Sequence, residues 1–196
     1  DGGVFRYTWK MDLVAKERVF VLVDGSNFYH RLVEPEVGLR NLLTFDFSGF
    51  ADWLARGRIV VKKAYYTGVV RAGFDDGKAQ ELRRNQQKLF SSLEKKRWVV
   101  ERGYIMKTDG FHEKGVDVKI AVDILSGSYE NLCDAVLLVS SDTDLIPAIH
   151  KAKLLKKTIE YIGFSHRPSF AMQKHCGFTR LLSRDDLLQF VSTEQL

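Results

Sequence analysis

The sequence predicts an α/β fold, a three-layer α/β/α domain around a mainly parallel central sheet. Three observations carry that reading. Two stretches, residues 19–23 and 135–139, are continuously apolar, as strands buried on both faces must be. Segments with helical spacing alternate with strand-like runs along the whole chain. Both apolar runs also stop at a small polar turn carrying acids, Asp24-Gly25-Ser26-Asn27 and Ser140-Ser141-Asp142-Thr143-Asp144. In open parallel sheets, ligands gather beyond the carboxyl ends of the strands.

The elements follow in order. After the first strand, Gly25 permits a tight turn, and Ser26 or Asn27 is the expected helix cap. Phe28, Tyr29 and Leu32 suit a short helix, ended by Glu34-Pro35-Glu36-Val37-Gly38. Asp46 or Ser48 caps a second helix bearing Phe50, Trp53 and Leu54, with Gly57 as its stop. Residues 59–67 read as the second strand and 98–106 as the third, separated by a loop with Gly73 and by a long basic helix over 78–96. Residues 108–115 read as a loop, and 116–125 as a helix ended by Gly127. The 135–139 strand comes next, then a helix with Pro147 near its start that runs to about Leu154, and a fifth strand over 158–162. The tail holds a short helix near 170–175, a brief strand near 179–182 and a last helix from Arg184.

Composition sets bounds. The two cysteines, Cys133 and Cys176, suit neither a disulfide framework nor a metal spacing and read as free thiols. The chain lacks a signal-peptide pattern and an apolar run near 18 residues, which points to a soluble, intracellular, cytoplasmic protein. Residues 1–17 read as an N-terminal extension, with Met11 a candidate native start, and 18–196 as one domain. A net charge of +5 permits a polyanionic partner.

In a parallel sheet the strand ends share one edge, so Asp24, Asp142 and Asp144 are expected to converge there. Asp117, in the first turn of its helix, is expected to join them. Each acid taken singly has a plain structural role as a cap, a first-turn acid or a turn partner. Together they repel unless a proton or cation intervenes. Oxygen ligands without His or Cys point to Mg²⁺ or Mn²⁺ rather than zinc. Asp123 is a secondary candidate. It lies about 120° around the helix from Asp117 at about 3.6 residues per turn, so it either lines the rim of the site or anchors a neighbouring strand.

Three blocks then resemble a known family. Val23-Asp24-Gly25-Ser26-Asn27-Phe28-Tyr29, the segment from Lys114-Gly115-Val116-Asp117 to Asp123, and Val139-Ser140-Ser141-Asp142-Thr143-Asp144-Leu145-Ile146-Pro147 are similar to the motifs of NYN domains. These are PIN-like nuclease domains, and the pattern resembles their LabA-like branch. The likeness runs over about residues 18–182, with the blocks in the family's order. It implies a Rossmann-like sheet, a carboxylate-bound divalent metal and cleavage of RNA. It also implies that Asp24, Asp117, Asp142 and Asp144 bind metal, with Asp24 and Asp142 as the first choices for direct ligands, and that Asn27 supports the site.

RNA contacts are expected from Lys114, Arg71, Arg83, Arg84, Lys88 and Arg167, with Tyr29, Tyr66 and Phe74 as stacking candidates. Ser140 or Ser141 is a candidate for holding a phosphate oxygen or simply for the turn at the strand end, and His112 reads as a bystander. The segment 165–177, with His166 and Lys174, is a candidate for shaping substrate access or a homodimer contact. The alternative function is a non-catalytic RNA-binding or assembly module of the same fold. A phosphotransferase of the haloacid-dehalogenase type ranks lower, because a second acid is wanted where Ser26 stands.

Overall fold

Seven strands hydrogen-bond in the order β4-β3-β2-β1-β5-β6-β7. The computed structural model describes residues 15–69, 77–107 and 111–192. The strands are β1 (Arg18–Asp24), β2 (Ile59–Val69), β3 (Val99–Lys107), β4 (Phe111–Lys114), β5 (Ala135–Val139), β6 (Thr158–Phe164) and β7 (Phe178–Leu182). All pair in parallel except β4, which runs antiparallel to β3 along one edge. This is the three-layer arrangement that the apolar runs and the alternating elements predicted, with the Rossmann-like sheet that the resemblance implied. The helices are α1 (Gly25–Val33), α2 (Phe47–Ala55), α3 (Gly77–Lys95), α4 (Val116–Tyr129), α5 (Ile146–Leu154), α6 (Phe170–His175) and α7 (Arg184–Leu188).

The two apolar faces of the sheet make two cores. Val19, Val21 and Val23 of β1 point to one face, where Phe28 and Leu32 of α1, Phe50 and Leu54 of α2, Leu93 of α3 and Leu187 of α7 cover them. Phe20 and Leu22 point to the other, beneath Ile120 and Ile124 of α4, Ile149 of α5 and Met172 of α6. This explains why β1 and β5 read as unbroken hydrophobic runs. Leaving β1, the chain builds outward through β2 and β3, then returns to lay β5 against the other side of β1. The strand order therefore reverses between β1 and β5, and a crevice opens beyond their carboxyl ends.

Some local expectations need correcting. The 108–115 segment is not all loop: β4 pairs Lys114 with Tyr104. Gly127 does not end α4 but lies inside it, and its lack of a side chain admits the Phe20 ring, which would stand 2.4 Å from a Cβ there. The cap of α1 is Asp24 itself rather than Ser26 or Asn27, its carboxylate accepting from the Asn27 backbone N–H at 3.0 Å. Cys133 and Cys176 are free and buried, and burial pushes both thiols up to about 11.

Candidate metal centre at the β1–β5 crevice

β1 delivers Asp24 at its last residue, 5 % exposed. The Gly25 turn that follows is fixed by a close approach. A Cβ on Gly25 would stand 2.3 Å from Cζ of Tyr65, a buried β2 ring packed edge-on to Phe47. Asp24 Oδ1 caps α1, and Oδ2 accepts from the buried Ser140 Oγ at 2.9 Å. Ser140 Oγ in turn accepts from the Asp142 N–H at 3.2 Å. Asn27 Oδ1 accepts from the Ser141 N–H at 3.2 Å, so both strand ends are tied together.

β5 delivers the other acids. Beyond Ser140 and Ser141 the chain enters a short 3-10 turn, Thr143–Leu145, capped by Asp142, whose Oδ1 accepts from the Asp144 N–H at 2.8 Å. Pro147 then sits in the first turn of α5, where its missing N–H costs nothing. On the same face α4 begins after Gly115, held at φ 81°, a left-handed conformation that suits glycine. Packing of α4 with α5 brings Asp117, in the first turn of α4, to the β5 turn.

One carboxylate oxygen from each of Asp117, Asp142 and Asp144 lies within 4.8 Å of the others. Asp117 and Asp142 are half-buried and Asp144 is exposed. An all-oxygen donor set that is partly open to solvent fits a hard divalent cation that keeps some of its water. Asp24 is not in this close triad. It stands beside Ser140, joined to the Asp142 backbone through that hydroxyl.

Asp123 takes the second of its two expected roles. It pairs with Lys62 at 2.7 Å and accepts a hydrogen bond from the Tyr66 hydroxyl, anchoring α4 to β2. Burial, with Asp123 adding to it, pushes the Tyr66 phenol far above its usual range. Tyr66 is wholly buried, which corrects its expected role as a base-stacking residue. Tyr29 remains 39 % exposed. Lys114, Arg83, Arg84 and Lys88 are exposed, the last three along α3. Arg167 reaches Glu34 at 3.4 Å, beside a His166–Glu34 contact at 2.9 Å. Arg71 and Phe74 lie outside the described residues, as does the His112 side chain.

The residue whose role the sequence did not reveal is Ser140. A small hydroxyl at the end of a buried strand, one residue before an acidic turn, was the available signal. Ser141 instead meets the Tyr161 hydroxyl at 3.0 Å.

The family model for the NYN domain matches residues 18–182. The chain belongs to the NYN-domain family. NYN domains are part of the PIN-like nuclease superfamily, are generally nucleases, and usually use divalent metals. The NYN chain is also similar to the crystal structure of a protein of unknown function from Vibrio parahaemolyticus, with a TM-score of 0.66 and 23% sequence identity. That match covers 90% of this chain and 99% of the other, and at such identity it bears on the fold alone. Comparison with curated proteins gave no match. Among the described residues no helix is long and apolar enough to cross a membrane.

Proposed function

We propose that this NYN domain, of the LabA-like branch, is a divalent-metal-dependent ribonuclease that hydrolyses RNA phosphodiester bonds at the β1–β5 crevice. The supporting observation is the triad of Asp117, Asp142 and Asp144 with carboxylate oxygens within 4.8 Å of one another. Three carboxylate oxygens that close offer a compact all-oxygen site for a hard divalent cation.

When bound, Mg²⁺ or Mn²⁺ supplies charge neutralisation for the phosphoryl oxygens and acidifies a water nucleophile. The triad would hold it. Asp24 and Ser140 keep the β5 turn in place through the 2.9 Å and 3.2 Å hydrogen bonds, which makes them positioning residues. Asn27 adds a second tie through the Ser141 N–H. Hydrolysis places hydroxide on phosphorus and a proton on the departing sugar oxygen. Lys114 and the exposed basic face of α3 supply positive charge toward the RNA backbone.

The test incubates labelled single-stranded and structured RNA with Mg²⁺ or Mn²⁺, with and without EDTA. Cleavage is expected with metal and absent with EDTA. It should fall on the order of 100-fold or more in Asp142→Asn and Asp117→Asn, since each removes charge stabilisation from the reacting phosphate. RNA binding without cleavage under either metal would overturn this reading in favour of a non-catalytic RNA-binding or assembly module.

A further inference from the structure

A cavity of about 630 Å³ lies beside the acidic crevice and plays no part in the metal centre. α1, the 40–43 segment and α3 form its walls, with the end of β2 at its base. Gly25 and Ser26, which line it, directly follow Asp24, so it opens at the same edge of the sheet as the acids. We infer that this cavity seats one unpaired nucleobase of a single-stranded RNA whose phosphate lies at the Asp117–Asp142–Asp144 triad. The inference rests on the ribonuclease reading and deepens it.

The lining has the two-sided character of a base. Tyr29, Leu43 and Leu82 line it while remaining 39 %, 40 % and 52 % exposed, and so offer apolar surface to an aromatic face. Buried Leu89 and Phe90 lie behind them. Asn41, Asn85 and Gln86 bring three carboxamides to the same space; Asn41 Oδ1 accepts from the Leu43 N–H and Gln86 Nε2 donates to the Gly68 carbonyl, so Asn85 is the carboxamide best placed to read the edge of a base, which both donates and accepts. The Asn85 side chain makes no hydrogen bond among the described residues. Arg40 also lines the cavity, is exposed and joins no ion pair among the described residues, which leaves it available to a phosphate. The volume lies within the roughly 300–1,000 Å³ of ligand pockets.

The acids give a reason for such a pocket. Three carboxylates repel an RNA backbone, whereas a base is neutral and can be held by stacking. A paired base has its edge occupied and both faces stacked, so only an unpaired one can enter. Single strands should therefore bind in preference to duplexes.

The experiment is an abasic scan. A fluorescent single-stranded RNA 12-mer and variants with one abasic nucleotide at each position are titrated against the full chain by anisotropy, in EDTA to prevent cleavage. One position should weaken binding by about 5- to 100-fold, the loss expected for one stacked base. Asn85→Trp, on the exposed face of α3, fills the cavity and should flatten the scan while weakening the intact oligonucleotide by a similar factor. Tyr29→Ala, also at an exposed site, gives the same reading if Asn85→Trp does not fold. The intact oligonucleotide is tested in parallel for cleavage with Mg²⁺. A flat scan on a cleaved oligonucleotide overturns the pocket and leaves the ribonuclease reading standing. A position-dependent scan that survives both variants also overturns the pocket, because the base is then seated elsewhere. No binding of any oligonucleotide overturns the pocket, and no cleavage in Mg²⁺ beside it overturns the ribonuclease reading as well.

Discussion

Replacing Ser140 by alanine should uncouple the two strand ends that build the proposed metal centre. Ser140 is 1 % exposed, and its hydroxyl donates to Asp24 Oδ2 at 2.9 Å while accepting from the Asp142 N–H at 3.2 Å. The first bond is to a carboxylate and is worth roughly 1.5–3 kcal/mol, and the second, between neutral groups, roughly 0.5–1.5 kcal/mol. Alanine fills nearly the same space, so no cavity term is added. The expected loss of stability is about 3 kcal/mol. With a urea slope of about 2 kcal/mol/M, the unfolding midpoint should fall by about 1.5 M at unchanged slope. A cycle with Asp24→Asn isolates the shared bond, and the two losses should be less than additive. Calorimetric titration with Mn²⁺ should show weaker binding by about 10- to 100-fold, the usual cost of losing a hydrogen bond that orients a ligand. A midpoint shift below about 0.25 M, or fully additive losses in the cycle, would refute the argument that this hydroxyl joins β1 to β5.

Three further outcomes follow from the same geometry. Gly25→Ala places a Cβ 2.3 Å from Tyr65 Cζ and should cost about 1–3 kcal/mol; Tyr65→Phe should not rescue it, because the ring carbons remain, whereas Tyr65→Leu should restore part of the thermal midpoint. Tyr66→Phe removes the hydroxyl that Asp123 accepts and should lower stability by about 1–3 kcal/mol while leaving Mn²⁺ affinity unchanged; loss of metal binding would show that Asp123 belongs to the site. The Asp134 carboxyl is held down to about 2, chiefly by the Arg18 side chain and then by its backbone N–H. A lowered acid stabilises the fold above its unfolded value, and that contribution fades as pH falls from about 4 to about 2. Asp134→Asn should therefore destabilise the protein at pH 7 and much less at pH 2, read as converging denaturation midpoints.

Much of this was legible because burial on both faces leaves a plain mark. Residues 19–23 and 135–139 are apolar at every position since each faces one core or the other. The polar turns after them stood out for the same reason. β4 was not legible, because Phe111-His112-Glu113-Lys114 has neither an apolar run nor alternation, and an edge strand needs only backbone partners. Tyr66 misled because an aromatic near a site reads equally as a stacking platform or as core. Its partner Asp123 is 57 residues away, and only the fold brings them together. The grouping of acids was partly legible. Sequence places all four at one edge, but the division into a close triad and a separate Asp24 depends on Ser140 standing between the strands.

The placement of β5 beside β1 also sets an order of events. The hydrogen bond joining Asp24 to Ser140 spans 116 residues, and the strands it links are nearest neighbours. During synthesis, one edge of β1 must wait without its partner while β2, β3 and α4 emerge. Such distant pairing is slow to form, and it leaves an apolar strand edge in need of protection until β5 arrives. A ribosome-bound chain that has not yet reached residue 142 has Asp24 and Asp117 in hand but none of the acids that complete the triad. The acidic edge is therefore incomplete until β5 and the turn after it have been made.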